Sequence, residues 1–370
     1  MHEVHIRPQW TIRQTDGAAL APRVIELLVQ VLEHGSLSSA CTASGVSYRH
    51  AWELIRQGEA MFGQPLVAMR RGKGSSLTPL GEKLVWADRR ITARLSPLLD
   101  SLASELGAEI EKLIPTAPTL LRIHASHGFA IEALHGFLAA AQVPGDLRYC
   151  GSEEAVASLH HGSCDVAGFH VPLGAFEAEA VSHYGPWLNA DTQKVIGMAT
   201  RHQGLMVAPG NPKKIYTLAD LARSDVRFIN RQAGSGTRYL FDLQLREQGI
   251  APEAIKGYEQ CEFTHAAVAA FVASGMADAG YGVETPARQF KLDFISNQVE
   301  RYFLLCEERS LAAPIVRRML DILQSEAYQS AVNRLPGYQA VNCGRVLSLP
   351  EAFESLRPAP AGKRRTATRS

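Results

Sequence analysis

The sequence has few cysteines, no long apolar run and almost no net charge. Its six cysteines are scattered without a CxxC pair, which argues against a zinc site and against a disulfide framework. No apolar h-region follows Met1, and no run of residues is long enough to span a membrane. A net charge of +1 gives by itself no indication of a nucleic-acid partner. We therefore expect a cytoplasmic chain without a metal and without membrane contact.

Signatures of common catalytic sites are also missing. The sequence contains no HExxH, GxSxG or GK[ST] motif and no catalytic Cys–His signature. His160, His161 and Cys164 are close in sequence, but no second pair of metal ligands accompanies them. We interpret these three residues as a helix end and a loop. The sequence therefore predicts neither an enzyme nor a cofactor site.

Positive charge is concentrated near the N-terminus. Between residues 45 and 94 there are nine Lys or Arg against four Asp or Glu. Residues 21–33, APRVIELLVQVLE, have Pro22 near their start and apolar residues at helical spacing, so they predict a first helix that ends at Gly35. Residues 36–44 predict a second helix. A tight turn at 45–47 then leads to a third helix, for which Ser47 is the predicted N-cap.

The third helix has two chemically different faces. One face is apolar and predicts packing in a core, through Ala51, Leu54 and Ile55. The other face presents basic and aromatic side chains at i, i+3, i+7 spacing, as in a helix that enters a DNA groove and reads guanine through Arg. A solvated amphipathic helix is the alternative interpretation. The DNA contacts predicted on this helix are Ser47, Tyr48, Arg49, Trp52 and Arg56.

A basic hairpin follows these helices. Residues 64–78, QPLVAMRRGKGSSLT, predict two short strands around a glycine-containing tip. Arg70, Arg71 and Lys73 at this tip are expected to contact phosphate groups, which position a protein on DNA without specifying its sequence. The three helices and this wing together predict a winged helix-turn-helix domain at residues 21–80.

A long apolar stripe comes after the wing. Leucines and isoleucines between residues 79 and 113 recur at steps of three, four and seven, a pattern typical of a helix that pairs with another helix. Pro97 lies inside the stripe and should either kink the helix or start a new one. We expect a linker helix at 81–114 that pairs with its copy in a homodimer.

The remainder of the chain alternates short β-like and helical segments. This alternation predicts an α/β domain at 119–350 with a largely parallel sheet. Residues 1–20 are expected to be flexible, and residues 357–370, which contain five Lys or Arg and no acid, to be a disordered basic tail. The strand candidates are 120–125, 147–150, 165–169, 195–199, 204–207, 226–229 and 278–281, and the helix candidates are 128–141, 153–160, 237–247, 264–274 and 312–326.

Residues 230–238, NRQAGSGTR, follow a strand candidate and open a helix. Glycines let the backbone close around a ligand, and free N–H groups at a helix start attract anions. A structural N-cap is the alternative, but two arginines flank this turn and favour an anion site. The predicted contacts are Arg231, Ser235, Gly236, Thr237 and Arg238.

Several other strand ends are expected to converge on the same crevice. In a doubly wound sheet, ligands bind at the carboxyl ends of the strands. A single His after a strand also has a purely structural interpretation, so each residue alone is a weak signal. The ligand contacts predicted at these turns are Ser126, His127, Gly151, Ser152, His170 and Tyr281, the last closing the far side.

Residues 35–55, GSLSSACTASGVSYRHAWELI, the basic wing and the following LTPLGEKL resemble the N-terminal domain of the molybdate-responsive ModE-type regulators. More loosely, they are similar to LysR-type winged helices. This resemblance covers about residues 21–113. The rest of the chain does not continue into the small TOBE-like domains of the ModE type. It resembles instead the two-lobed periplasmic-binding-protein-like domains, which share a fold with LysR effector domains and with oxyanion-binding proteins.

The resemblance implies a ligand-responsive transcriptional regulator that binds a double-stranded DNA operator as a homodimer or tetramer. Its effector would be a small anion, with molybdate or tungstate favoured over formate or another small carboxylate. A compound related to the molybdenum cofactor fits the donor-rich turns nearly as well. The alternatives are a substrate-binding or transport-associated protein and an enzyme of molybdenum-cofactor metabolism that uses the α/β domain.

Overall fold

The computed structural model describes residues 4–15, 17, 19–70, 74–112 and 120–357. Three short helices form its N-terminal domain, and local signals set their ends. The first helix stops at Gly35, which has a φ of 76°. The hydroxyl of Ser36 accepts a hydrogen bond from the backbone of Ser39, and Ser47 caps the third helix in the same way through His50. The helices are α1 (Pro22–His34), α2 (Leu37–Ser44) and α3 (Tyr48–Phe62).

The wing and the linker helix follow directly. Strands β1 (Val67–Arg70) and β2 (Gly74–Leu77) pair antiparallel, as predicted. Helix α4 (Pro79–Lys112) begins just after β2, and its Gly81 passes so close to the wing that a Cβ there would overlap the carbonyl oxygen of Leu66. This position therefore needs glycine, and it fixes the start of α4 against the wing.

Helix α4 continues through Pro97 as one helix of 34 residues. Of the two outcomes expected at this proline, the start of a new helix is therefore excluded. A proline has no N–H group, so the carbonyl of Ala93 lacks its helical donor. The hydroxyl of Thr264 replaces that donor at 2.7 Å. A contact from the C-terminal domain thus compensates for the proline.

The C-terminal domain is an α/β domain with one large sheet, and two further short strands pair with its strand β6. The strand order in the sheet is β4-β3-β5-β10-β6-β9-β7-β8. Its strands are β3 (Leu121–Ala125), β4 (Gly145–Tyr149), β5 (Val166–Pro172), β6 (Gln193–Val207), β7 (Phe228–Arg231), β8 (Cys261–Glu262), β9 (Ala279–Val283), β10 (Asp293–Glu307), β11 (Tyr338–Gln339) and β12 (Val346–Ser348). Its helices are α5 (Phe129–Ala140), α6 (Ser152–His160), α7 (Glu177–Tyr184), α8 (Gly236–Glu247), α9 (His265–Ala273), α10 (Glu284–Gln289), α11 (Pro314–Gln324), α12 (Glu326–Asn333) and α13 (Leu349–Ala352).

Two long strands divide this domain into two lobes. β6 and β10 pair antiparallel over 15 residues each and run through the whole domain. Parallel pairs occur within the lobes, among β3, β4 and β5 on one side and β7, β8 and β9 on the other. The expectation of a largely parallel sheet is therefore wrong: the sheet is mixed. The two strands predicted at 195–199 and 204–207 are one strand, and β10 was not predicted.

Each lobe has its own apolar core. The first lobe packs around Leu134 on one face of the sheet and Phe169 on the other. The second lobe packs around Phe241 and Val268. The predicted two-lobed architecture is confirmed. Because only β6 and β10 carry the sheet from one lobe to the other, the region between the lobes is open for a ligand.

The described part of the N-terminal segment makes specific contacts, although we expected flexibility there. Trp10 packs against the core of the helix-turn-helix domain, and its indole N–H donates to Asp88 of α4 at 2.8 Å. Of the basic tail, only Arg357 lies among the described residues, where it pairs with Glu354 at 2.9 Å. Within the described ranges, no helix is both long and apolar enough to cross a membrane.

Candidate functional site

The exposed face of α3 carries the side chains predicted to contact DNA. Arg49 and Arg56 are exposed, and within the described residues neither takes part in an ion pair. Tyr48 and Trp52, on the same helix, pack edge to face with 6.2 Å between their ring centroids. Ala51, Leu54 and Ile55 are buried on the opposite face, as expected. The helix therefore presents two cations and the ring of Tyr48 to solvent, while Trp52 is half-buried against the core of the domain.

The tip of the wing is less fully described. Arg70 ends strand β1, but its side chain lies outside the described atoms. Arg71 and Lys73 lie outside the described residues altogether. The base of the wing is well defined, because the backbone N–H of Leu37 donates to the hydroxyl of Ser75 at 2.7 Å. This bond places the wing next to the start of α2.

A cavity of about 830 Å³ lies between the two lobes. It is surrounded by the starts of four helices, α5, α6, α8 and α9, and helix N-termini carry a positive partial charge. Two of these starts touch, since a Cβ on Gly151 would be 3.1 Å from the carbonyl oxygen of Gly234. Most of the predicted ligand residues line this cavity: Ser126, His127, Gly151, Ser152, His170, Arg231, Ser235, Gly236 and Thr237.

Two buried guanidinium groups face the cavity, but they differ in pairing. Arg201 is 2% exposed, and its Nε lies 2.9 Å from the carboxylate of Glu300. Burial lowers the pKa of Arg201, but the negative charge of Glu300 more than offsets this effect, so the pKa is raised. Arg231 is 6% exposed and has no carboxylate partner among the described residues. Its guanidinium donates to the side chain of Gln232 and to the carbonyl of Phe263. Burial and the charge of Arg201 lower the pKa of Arg231 to about 9.

Three histidines next to these arginines are neutral. His170 and His265 are almost fully buried, and burial together with the charges of Arg201 and Arg231 lowers the pKa of both well below 6.5. The same causes lower the pKa of His127 to about 4. Each ring retains one buried nitrogen without a protein partner within the described residues: Nδ1 of His127, Nε2 of His170 and Nδ1 of His265. A neutral imidazole can donate a hydrogen bond to an anion. The free Nδ1 of His265, however, faces Gly282 of β9, so it is not one of the donors to the cavity.

Two predicted ligand residues lie elsewhere. Arg238 pairs with Asp242 at 3.0 Å and stacks on the ring of Tyr258, so it does not line the cavity. Tyr281 is completely buried in the core of the second lobe, where its hydroxyl donates to Asn297. The side chains of Arg231 and Arg238 therefore have different partners, although both residues flank the same glycine turn and Arg238 donates to the backbone carbonyl of Arg231 at 3.5 Å.

Family models match both the N-terminal and the C-terminal half of the chain. Residues 22–82 match the bacterial regulatory helix-turn-helix protein, lysR family. Residues 137–324, just over half of the chain, match the PBP superfamily domain. Over half of its length the chain belongs to the PBP superfamily, and it joins this domain to a helix-turn-helix of the lysR family. This combination of domains is that of a LysR-type transcriptional regulator with an effector-binding domain. The predicted resemblance to LysR-type helix-turn-helix proteins and to periplasmic-binding-protein-like domains is confirmed.

Individual relatives of this LysR-type chain cover only parts of it. The uncharacterized protein YvgK of Bacillus subtilis (strain 168) is 33% identical over 204 residues, which are 54% of this chain and 64% of YvgK. The molybdenum transport protein ModE of Azotobacter vinelandii is 31% identical over 95 residues, 25% of this chain and 35% of ModE. The chain thus spans less than two thirds of either relative. Among solved structures, a peroxide-bound mutant of Corynebacterium glutamicum OxyR matches 85% of this chain and 94% of its own, at 16% identity and a TM-score of 0.43.

Sequence reasoning missed several residues of the regulator's cleft. Arg201, Thr264 and His265 line the cavity but were not predicted. Arg201 gave no separate signal, because it lies in the polar stretch 200–203 between the apolar runs 195–199 and 204–207. One wall of the cavity was also missed, because it does not lie at the end of a strand. It is formed by seven residues of the linker helix α4: Arg94, Leu95, Pro97, Leu98, Ser101, Leu102 and Glu105.

Proposed function

We propose that this regulator senses a small anion in the cleft between its lobes. One observation carries the proposal: Arg231 is a buried cation without a carboxylate partner among the described residues, and it faces a cavity. An unpaired buried charge is costly, so a bound anion would supply the missing counter-charge. Arg201, the neutral His127 and His170 and the start of α8 would add hydrogen-bond donors around that anion.

A tetrahedral oxyanion such as molybdate or tungstate is the favoured effector. It would occupy the end of the cavity formed by Arg201, Arg231 and His170, where the donors are concentrated. The similarity to ModE, whose name refers to molybdenum transport, supports this class of ligand. Formate or another small carboxylate would use the same donors.

A larger organic anion is the second candidate. The cavity volume of about 830 Å³ is within the range of roughly 300–1,000 Å³ that drug-sized ligands occupy. A compound related to the molybdenum cofactor would use Arg201 and Arg231 for its anionic group. Its body would lie against Tyr149, Leu98 and Phe263, which also line the cavity.

The DNA partner is a double-stranded operator that α3 enters through Arg49 and Arg56. The regulator would bind it as a homodimer or tetramer. The apolar stripe on α4 supports such pairing, because Leu106 and Ile110 are 48% and 37% exposed in the single chain. Two recognition helices in a dimer would contact half-sites one helical turn or more apart.

Thermal unfolding with molybdate, tungstate, sulfate, phosphate and formate tests the anion proposal. A ligand that binds only the folded state raises the free energy of unfolding, by about 2.7 kcal/mol at one hundred times its dissociation constant, and with it the midpoint temperature. The rise should disappear in Arg231→Ala and persist in Arg238→Ala, a matched arginine of the same loop that lies outside the cavity. No rise with these five anions, but one with molybdopterin-type compounds, would favour the larger effector. Equal responses in the two variants would contradict the assignment of Arg231.

A further inference from the structure

Helix α4 contacts both lobes of the effector domain. We call this its docked position. On the second lobe, Trp86 stacks on Phe290 with 5.7 Å between ring centroids, and the guanidinium of Arg90 lies 4.5 Å from the centre of the Phe271 ring. The hydroxyl of Thr264 donates to the carbonyl of Ala93. The segment 86–94 is thereby attached to α9 and to its neighbours.

Two turns further along, the same helix is attached to the first lobe. The hydroxyl of Ser101 accepts a hydrogen bond from the backbone N–H of Tyr149 at 3.0 Å. The hydroxyl of Ser104 accepts from the N–H of Leu147 at 2.9 Å and donates to Asp146 at 2.8 Å. These three bonds fix α4 to strand β4. Residues 95–100 lie between the two attachments, and Leu95, Pro97 and Leu98 among them line the opening between the lobes.

This interface also contains an ion-pair cluster around a buried carboxylate. The side chain of Glu262 is 2% exposed, and its carboxylate lies 3.0 Å from Arg90 and 3.5 Å from Arg94. Both of these cations belong to α4. A carboxylate this buried is stable only with its counter-charges in place, so Glu262 favours the docked position. Removal of α4 would leave it without either cation.

We propose that α4 is the mobile wall of the effector site, and that anion binding and docking of α4 stabilise each other. The inference rests on the proposed anion site. With α4 docked, Arg94 and Leu98 line one side of the cavity, so an anion in the cavity would lie between the lobes and the helix. Because α4 starts directly after the wing, its docked position also sets where the DNA-binding domain lies. The effector would therefore be sensed by α4, the helix to which the DNA-binding domain with α3 is joined through the wing.

Coupling of this kind is reciprocal: the factor by which docking raises the anion affinity equals the factor by which the anion stabilises docking. A change that lowers the docked fraction of α4 therefore lowers the apparent anion affinity in proportion to that fraction. Glu262 and Ser104 provide the test, because both attach α4 without lining the cavity. Charge alone predicts the opposite for Glu262→Gln, since the loss of a negative charge near the cleft would strengthen anion binding. A weaker affinity in this variant would therefore report on the position of α4.

The experiment compares wild type, Glu262→Gln and Ser104→Ala, with Glu179→Gln as the control. Glu179 pairs with Arg246 at the surface, away from α4. Affinity for molybdate, tungstate and formate is measured in each protein, together with hydrogen exchange of the amides of residues 86–105. We expect affinity to fall at least about fivefold in both α4 variants and to stay unchanged in the control. In wild type, the anion should slow exchange in α4.

Each outcome separates this inference from the anion proposal. If the wild-type protein binds none of the three anions, the proposed effector class is wrong and the coupling is wrong with it. If wild type and both α4 variants bind an anion equally, the anion proposal stands and the coupling is overturned. An unchanged exchange rate in α4 on addition of a bound anion would also overturn it. Ser104→Ala keeps the test valid should Glu262→Gln fold poorly, because it removes one hydroxyl at a half-buried position.

Discussion

Arg201 and Arg231 present two guanidinium groups to one cavity, and within the described residues only Arg201 has a carboxylate, Glu300, in contact with it. The pair therefore carries more positive charge than its surroundings neutralise. Burial and the neighbouring charge lower the pKa of Arg231 to about 9, which measures how unfavourable its charged form is there. This excess charge is the basis of the anion site.

Replacing Arg231 should separate stability from ligand binding. In Arg231→Met, a buried unpaired cation gives way to an apolar side chain of similar length, so the free energy of unfolding without anion should rise by about 1 kcal/mol. The same variant should lose any anion-dependent rise of the melting temperature. Denaturant unfolding with and without molybdate measures both effects. A variant that is less stable and still responds to the anion would contradict the role of Arg231.

The three neutral histidines predict a pH dependence of stability. In the unfolded chain they protonate near pH 6.5, whereas in the folded protein the pKa of His127 is about 4 and the values of His170 and His265 are also lowered. The unfolded state thus binds more protons as the pH falls below 6.5. The free energy of unfolding should decrease by about 1.4 kcal/mol per pH unit for each histidine that protonates only on unfolding.

Urea unfolding between pH 7 and pH 4.5 checks this slope. His265→Asn should reduce it, because that side chain no longer takes up a proton in the unfolded state. His34→Asn is the control, since His34 is exposed at the end of α1. Equal slopes in the wild type and His265→Asn would show that His265 is not held neutral.

Much of the DNA-binding half could be predicted from the sequence, because its signals are local. Ser47 as an N-cap, Gly35 as a helix end and the apolar face of α3 depend on neighbouring residues. The cleft depends on non-local pairing. Neither β10 nor the pairing that turns residues 195–207 into one continuous strand has a local signature. The sequence of the glycine turn likewise does not predict that the side chain of Arg231 faces the cavity while that of Arg238 pairs with Asp242.

The exposed face of α3 leads to a DNA-binding prediction. Arg49→Ala and Trp52→Ala should weaken binding to a duplex selected by the wild-type protein from a random pool, the arginine change by about 1–3 kcal/mol. The fold should remain intact, because Arg49 is exposed and Trp52 is only partly buried. Arg246→Ala, an exposed arginine of the effector domain, controls for the loss of one positive charge. Unchanged DNA affinity in Arg49→Ala would exclude α3 as the recognition helix.

Two glycines of helical segments provide opposite predictions for stability. Gly81→Ala would place a methyl group against the carbonyl of Leu66, so we expect a loss of about 1–3 kcal/mol. Gly136 lies on the exposed side of α5 with nothing within 4 Å of a Cβ. Gly136→Ala should therefore stabilise the protein by about 0.5–1 kcal/mol. Thermal unfolding of the two variants measures both changes, and a neutral Gly81→Ala would mean that the wing and α4 separate easily.

Titration calorimetry of the purified full-length chain with molybdate, tungstate and formate tests the central claim most directly. The account predicts saturable binding of one anion per chain in the wild-type protein, and none in Arg231→Met. Heat of binding that is equal in both proteins would place the anion outside the cleft. No binding in either protein, with these anions or with a larger organic anion, would contradict the account of this domain as an anion sensor.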